Sequence, residues 1–203
     1  MENNFLGGIA VNISEINNSM SGYVSMIAHT GKYNYDTDEI ENGKILSSRS
    51  FKNLIVNTSA AILSSSILPN NNMSIQYLAV GVGYNDGRIP NEDIERESLI
   101  HEVARVKIGR YGYITKDGKK TSIQKPSTVA GCVLKATISN VSQYDLVEMG
   151  LFGGSQETSD PSISGIMYNY KTFSTWNISE DASLTIIWRL YFRWKDLLQK
   201  MKI

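Results

Sequence analysis

A chain of 203 residues with 20 basic and 20 acidic side chains carries no net charge at pH 7, which argues against a protein that grips nucleic acid through a general positive field. Its 41% hydrophobic and 20% charged residues, with abundant Asn and Ser, describe a globular chain able to bury one substantial core. A lone cysteine, Cys132, excludes an internal disulfide and reads as a small buried hydrophobe.

Residues 1–49 are polar and irregular, with short strand-like runs at "GGIAVNIS" and "GYVSMIAHTG", and are expected to form an extended arm or docking segment. The N-terminus has an apolar patch but no basic lead and no run long enough for a signal core or a membrane span, so synthesis in the cytoplasm without general export is expected. From Ser50 the pattern changes. In "SFKNLIVNTSAAILSSSIL" the spacing of Phe51, Leu54, Ile55, Ala61, Ile62 and Leu68 predicts one amphipathic helix, with Ser50 as its N-cap and Pro69 just beyond its end.

Six strand-like runs follow, separated by Gly, Asn, Asp and Pro clusters: "SIQYLAVGVG", "LIHEVARVKIGRYGYIT", "TVAGCVLKATIS", "DLVEMGLFG", "GIMYNYKTFSTWNIS" and "ASLTIIWRLYFRW". Strands in this number after one helix predict a mainly β fold: an antiparallel β-sandwich with one N-terminal helix packed on it, spanning 50–194. In the last run Leu184, Ile186, Trp188, Leu190 and Phe192 make one apolar face, and the opposite face is expected to meet a partner. Residues 195–203 are expected to form a short C-terminal helix or tail.

The chemistry-bearing patterns are weak. "GVGYNDGR" continues into a turn at Asn85, Asp86 and Gly87 where a phosphate loop needs a helix, and "DTDEIENG" misplaces the glycine and glutamate of a calcium loop. "HEVAR" lacks the second histidine of a zinc helix, and with only two histidines and no nucleophile elbow the chain offers no ready hydrolytic triad. No catalytic residue, metal site or cofactor is therefore assigned. Glu148, alone in the apolar run "LVEMGLFGG", needs a partner if buried. It is read as a structural fastener accepting from backbone N–H groups or pairing with Arg105, with Gly150, Gly153 and Gly154 allowing close approach. The enzymatic alternative pairs Glu148 with Glu102, Asp145 or Glu180 as a glycan hydrolase.

Charge is segregated along the chain: "NEDIERESLIHE" is acidic, whereas residues 105–125 carry Arg105, Lys107, Arg110, Lys116, Lys119, Lys120 and Lys125 against Asp117. Complementary patches favour self-assembly, set against the plainer alternative of solvated faces. Tyr111, Tyr113, Tyr168 and Tyr170 are a candidate aromatic surface for a glycan or receptor.

In order, "NLIVNTSAAIL", "IQYLAVGVG", "ESLIHEVAR", "LVEMGLFGG" and the final "LTIIW" strand resemble a family of bacteriophage tail-associated structural proteins, tail-fibre or baseplate components. That family has an "IAVGTG" strand, an "L-x-x-E-x-x-R" segment, an "E-A-G-L-F" strand and a closing "L-x-I-x-W" strand. The likeness covers residues 51–192 and departs at Met149, where the family favours a small residue. It implies a non-enzymatic virion component with a β-sandwich body, assembled with copies of itself and other tail, neck or baseplate proteins. Glu148, Arg105, Gly150, Phe152 and Trp188 then serve structure or assembly, and neither nucleic acid nor membrane is a partner.

Overall fold

The computed structural model describes residues 20–67, 74–153 and 165–192. These form a mainly β protein with three antiparallel sheets. The six-stranded sheet runs, edge to edge, β4 (Ile45–Lys52), β1 (Met20–His29), β13 (Ser183–Phe192), β10 (Gly131–Ile138), β8 (Arg110–Ile114) and β9 (Lys120–Thr121). The five-stranded sheet runs β5 (Leu54–Ile55), β12 (Ile166–Trp176), β11 (Leu146–Gly153), β6 (Ile75–Gly81) and β7 (Glu102–Lys107). A hairpin, β2 (Lys32–Asn34) with β3 (Glu39–Glu41), makes the third sheet.

Alternation along the strands builds one core shared by the two large sheets. Val24, Met26 and Ala28 of β1, Leu134 and Ala136 of β10, and Leu184, Ile186 and Trp188 of β13 meet Leu78 and Val80 of β6 and Met149 and Leu151 of β11. β5 lies by β1 and β7 by β10, so β8 and β9 project past the edge of the smaller sheet.

Both large sheets are also covered on their outer faces. The β2–β3 hairpin packs Tyr33, with Tyr35 and Ile40, over Ile114, Val133 and Ile187. On the other sheet Val56 and Leu99 close over Ala79, Phe152, Met167 and Tyr170. This is why all eight residues of β11 are buried, and why a run such as "LVEMGLFG" shows no polar face. The second face of β13, expected to meet a partner, is covered within the chain at Thr185 and Ile187, which are buried beneath the hairpin, while Arg189 and Tyr191 on the same face stay half-buried.

Two expectations about the N-terminal half need correction. Residues 20–49 are not an extended arm: β1 pairs along its whole length with β13 and also with β4, because its alternating apolar residues complete the core. Residues 1–19 lie outside the described residues. The helix also begins later than the spacing predicted: within the described residues α1 covers Ser59–Ile67, and residues 45–52 and 54–55 are strands. Phe51 stacks on Phe173 with ring centroids 5.8 Å apart, and Ser50 donates its hydroxyl to Ser25 (3.2 Å) instead of capping a helix. The β-branched Ile55 and Val56 favour the extended backbone there. Leu68, Pro69 and the expected C-terminal helix over 195–203 lie outside the described residues.

Candidate functional site

The most connected polar centre is built on Glu148. Its neighbours on β11, Val147 and Met149, are buried, and Glu148 itself is 0% exposed, on the sheet's outer side. The residues after β6, 82–101, cross that outer side before the chain re-enters the sheet as β7. Glu148 Oε1 accepts from the backbone N–H groups of Gly83 (3.2 Å) and His101 (3.0 Å). Oε2 accepts from the N–H of Ile100 (3.2 Å) and from the Tyr170 hydroxyl (2.8 Å). One carboxylate thus binds both ends of the connection and ties them to β12, while Val82 N–H donates to His101 O (3.0 Å). Burial, and then the neighbouring Glu148, push the Tyr170 phenol far above its ordinary pKa, so it stays a donor.

Two glycines make room for this tie. Gly83 turns with φ +71, a conformation that side chains rarely adopt. A Cβ on Gly81 would stand 2.5 Å from His101 O and 2.6 Å from Glu148 Oε1.

Arg105, expected to pair with Glu148, is bound elsewhere. Its Nε and Nη2 donate to the two carboxylate oxygens of Glu102 at 2.7 and 2.6 Å, and its guanidinium lies 4.0 Å over the Phe152 ring. With main-chain donors filling the Glu148 carboxylate, the cation three residues along from Glu102 takes the nearer acid. Gly150 and Phe152 are placed with Glu148 on β11, and Trp188 is 0% exposed in the shared core on the far sheet.

A second buried charge has the opposite sign. Lys135, 2% exposed in the middle of β10, donates to Asp38 and to Tyr35 O (2.9 Å), which pins the β2–β3 hairpin. Tyr33 donates its hydroxyl to the same Asp38 oxygen (3.0 Å), and burial, followed by Asp38, pushes that phenol far up in pKa. Beside it, Tyr35 donates to Thr137 (2.9 Å), Thr137 meets Thr185 (2.7 Å) and Thr185 meets His29 Nε2 (2.8 Å). Within "DTDEIENG" Asp38 thus ties the hairpin down, while all four carboxylate residues of the stretch, Asp36, Asp38, Glu39 and Glu41, stay exposed. The clue was available: Lys135 is the one charge in "GCVLKATI", as Glu148 is in its own strand.

The four tyrosines do not form one surface. Tyr168 and Tyr170 are buried, because both faces of β12 are covered. Tyr111 is 77% exposed and Tyr113 42%, although their register partners Leu134 and Cys132 belong to or pack against the core. They stand on the part of β8 that reaches past β7, whereas Arg110 and Lys120 turn to the opposite face, where both bind Asp36 of the hairpin. Among the described residues no group of acidic, histidine or cysteine side chains is arranged to hold a metal ion, and no helix is long and apolar enough to cross a membrane.

Fold and centre together define a class no narrower than a mainly antiparallel β protein braced by buried charges. Comparison with known proteins carries the identification no further: no family model, no curated protein and no solved structure matches the chain.

Proposed function

We propose that this chain is a structural, non-enzymatic component of a bacteriophage virion, an adaptor or fibre-base protein of the tail, neck or baseplate, and that its two-sheet body is a β-sandwich. What supports this most is the convergence of the family-like segments on one buried tie. "AVGVG" supplies Gly81 and Gly83, "LIHEVAR" supplies Ile100 and His101, and "LVEMGLFGG" supplies Glu148. The shared pattern is therefore a bracing device, as a load-carrying body requires, and its carboxylate is turned away from solvent. The protein acts in the assembled particle, through contacts with its own copies and with neighbouring virion proteins. Mass spectrometry of purified particles of the encoding phage tests this. The chain is expected there in multiple copies, and its absence from particles sinks the reading.

A second reading, a receptor or glycan binder, draws on the exposed Tyr111 and Tyr113. A glycan array in which the wild type binds and Tyr111→Ala with Tyr113→Ala does not would favour it.

A further inference from the structure

The hairpin covers the middle of the six-stranded sheet's outer face and stops short of one strip. Toward the Met20 end of β1 the register lines up Lys52 of β4, Tyr23 of β1 and Arg189 of β13 as direct cross-strand partners on that face. Tyr23 therefore has a cationic side chain beside it on either strand, with Cβ atoms about 5 Å apart. Tyr23 is 41% exposed, Lys52 is exposed and Arg189 is half-buried. In the next row Tyr191 meets Tyr23 edge to face, with ring centroids 6.3 Å apart. Its hydroxyl lies beside Gly118, where a Cβ would stand 3.1 Å from it.

The two cations of this strip have no counter-charge. Among the described residues neither Lys52 nor Arg189 makes a side-chain hydrogen bond or ion pair, and neither tyrosine hydroxyl has a partner. Acids elsewhere on the face are already held: Asp36 by Arg110 and Lys120, Asp38 by Lys135, and Asp117, next to Gly118, by Lys119. The surroundings are small or hydroxylated. Gly131 lies across from Tyr191 on β10, and Ser25 and Ser50, hydrogen-bonded at 3.2 Å, flank Tyr23 and Lys52 on the other side. Both β1 and β13 are paired along each edge, so the strip presents side chains and no free main-chain donors.

We infer that this strip binds an acidic polysaccharide, one whose sugar rings carry carboxylates. Tyrosine rings give the C–H face of a sugar a flat apolar bed, and their hydroxyls give it a polar edge. Lys52 and Arg189 stand two strand spacings apart, roughly 10 Å, so they meet carboxylates on neighbouring sugars, Arg189 through two parallel bonds. An acidic peptide fits less well. Extended peptides dock at sheet edges through backbone bonds, and helical ones in apolar grooves, whereas this is a flat face whose strands are already paired. The site goes beyond the structural reading above. It is also distinct from Tyr111 and Tyr113, which lie on the core-facing side of the same sheet.

Isothermal titration of the full-length chain tests the site, with polygalacturonate, alginate and hyaluronate as acidic polysaccharides. Methyl-esterified polygalacturonate is the neutral control and poly-glutamate the acidic control without sugar. The wild type is expected to bind at least one of the three polysaccharides and neither control. Lys52→Gln and Tyr23→Ala, both at exposed positions, should each weaken that binding by about tenfold or more with unchanged circular dichroism. Tyr111→Ala should leave it intact. Equal binding of the ester overturns the acidic ligand, and equal binding of poly-glutamate reduces the strip to a bare cationic patch and overturns the sugar. Binding that survives Lys52→Gln with Tyr23→Ala, or that is lost in Tyr111→Ala, places the glycan elsewhere and removes this site. Failure of all three polysaccharides overturns the inference. None of these outcomes touches presence in particles, so the virion reading stands or falls by its own test.

Discussion

Replacing Glu148 by Gln keeps the side chain's shape and removes its charge, and four donors then face an amide. Gly83 and His101 N–H point at one oxygen position and Ile100 N–H with the Tyr170 hydroxyl at the other. In the better orientation the amide oxygen keeps Gly83 and His101, and the amide nitrogen donates to the Tyr170 oxygen after that hydroxyl turns away. Ile100 N–H is then left facing a donor. A buried orphaned donor costs about 1–3 kcal/mol, and exchanging two charge-assisted bonds for neutral ones costs about 1 kcal/mol each. Relief of a buried charge returns part of this, so the net loss is about 3 kcal/mol. For a chain of this length that lowers Tm by roughly 6–12 °C. Urea unfolding followed by tryptophan fluorescence measures it, with Tyr170→Phe as companion at about 1–2 kcal/mol. A Glu148→Gln variant within about 0.5 kcal/mol of wild type would refute the idea that this carboxylate braces the fold, and a double-mutant cycle with Tyr170→Phe showing no coupling would refute the bond between them.

Gly81→Ala should destabilise by about 2 kcal/mol or more in the same unfolding assay, since its methyl group would stand 2.5 Å from a carbonyl oxygen of the connection. Lys135→Met should cost about 1–2 kcal/mol, because Asp38 is 40% exposed and water replaces its partner, and hydrogen exchange should quicken over residues 32–41. Burial pushes the Cys132 thiol from 9.0 to about 11, so labelling by a thiol reagent at pH 8 should be about a hundredfold slower than for a free cysteine; ready labelling would contradict its packing. That thiol and the Tyr33, Tyr168 and Tyr170 phenols are all raised above their ordinary values. The fold favours their protonated forms, so their contribution is whole below about pH 9 and is lost as pH climbs through the folded values. Thermal scans should show Tm falling steeply above that pH, and a flat profile to pH 11 would be the contrary result.

The strand content was legible because turn residues punctuate the second half of the chain, and all six runs contain strands. The shared core was legible in β13, where Leu184, Ile186 and Trp188 alternate. What the pattern concealed follows from double coverage. Thr185 and Ile187 look like a half-exposed face, and only the distant hairpin around Tyr33 buries them. The segment before α1 misled for another reason: Phe51, Leu54 and Ile55 satisfy helical spacing, but their contacts lie on β12 and β1, far along the chain. Glu148 was legible as a fastener because a lone carboxylate in an apolar run demands donors, yet nothing local distinguished Arg105 from main-chain N–H groups as their source. Tyr168 and Tyr170 looked like Tyr111 and Tyr113 because each pair shares the same i, i+2 spacing. A mid-sheet strand and an overhanging one differ only in what the rest of the chain lays across them.

Each large sheet sends one buried charge outward from its own middle, Lys135 from β10 and Glu148 from β11, and each charge holds down the connection that covers that sheet. A charge suits this task better than an apolar contact: a carboxylate with four directed donors, or an ammonium on an acid and a carbonyl, fixes one placement of the cover, whereas oil-like contact tolerates sliding. Each broad face is thereby covered at its middle, and the surfaces left for partners are the flanks, the outer sides of the covers and the strip of Tyr23, Arg189 and Tyr191. Substitutions should divide accordingly. Changes at Glu148, Gly81 or Lys135 should lower stability while folded molecules still associate, and changes at the exposed Tyr111 should leave unfolding transitions in place. A single variant of the first group that abolishes assembly without loss of stability would break that division, and would move the fastener from the interior of the fold to its interface.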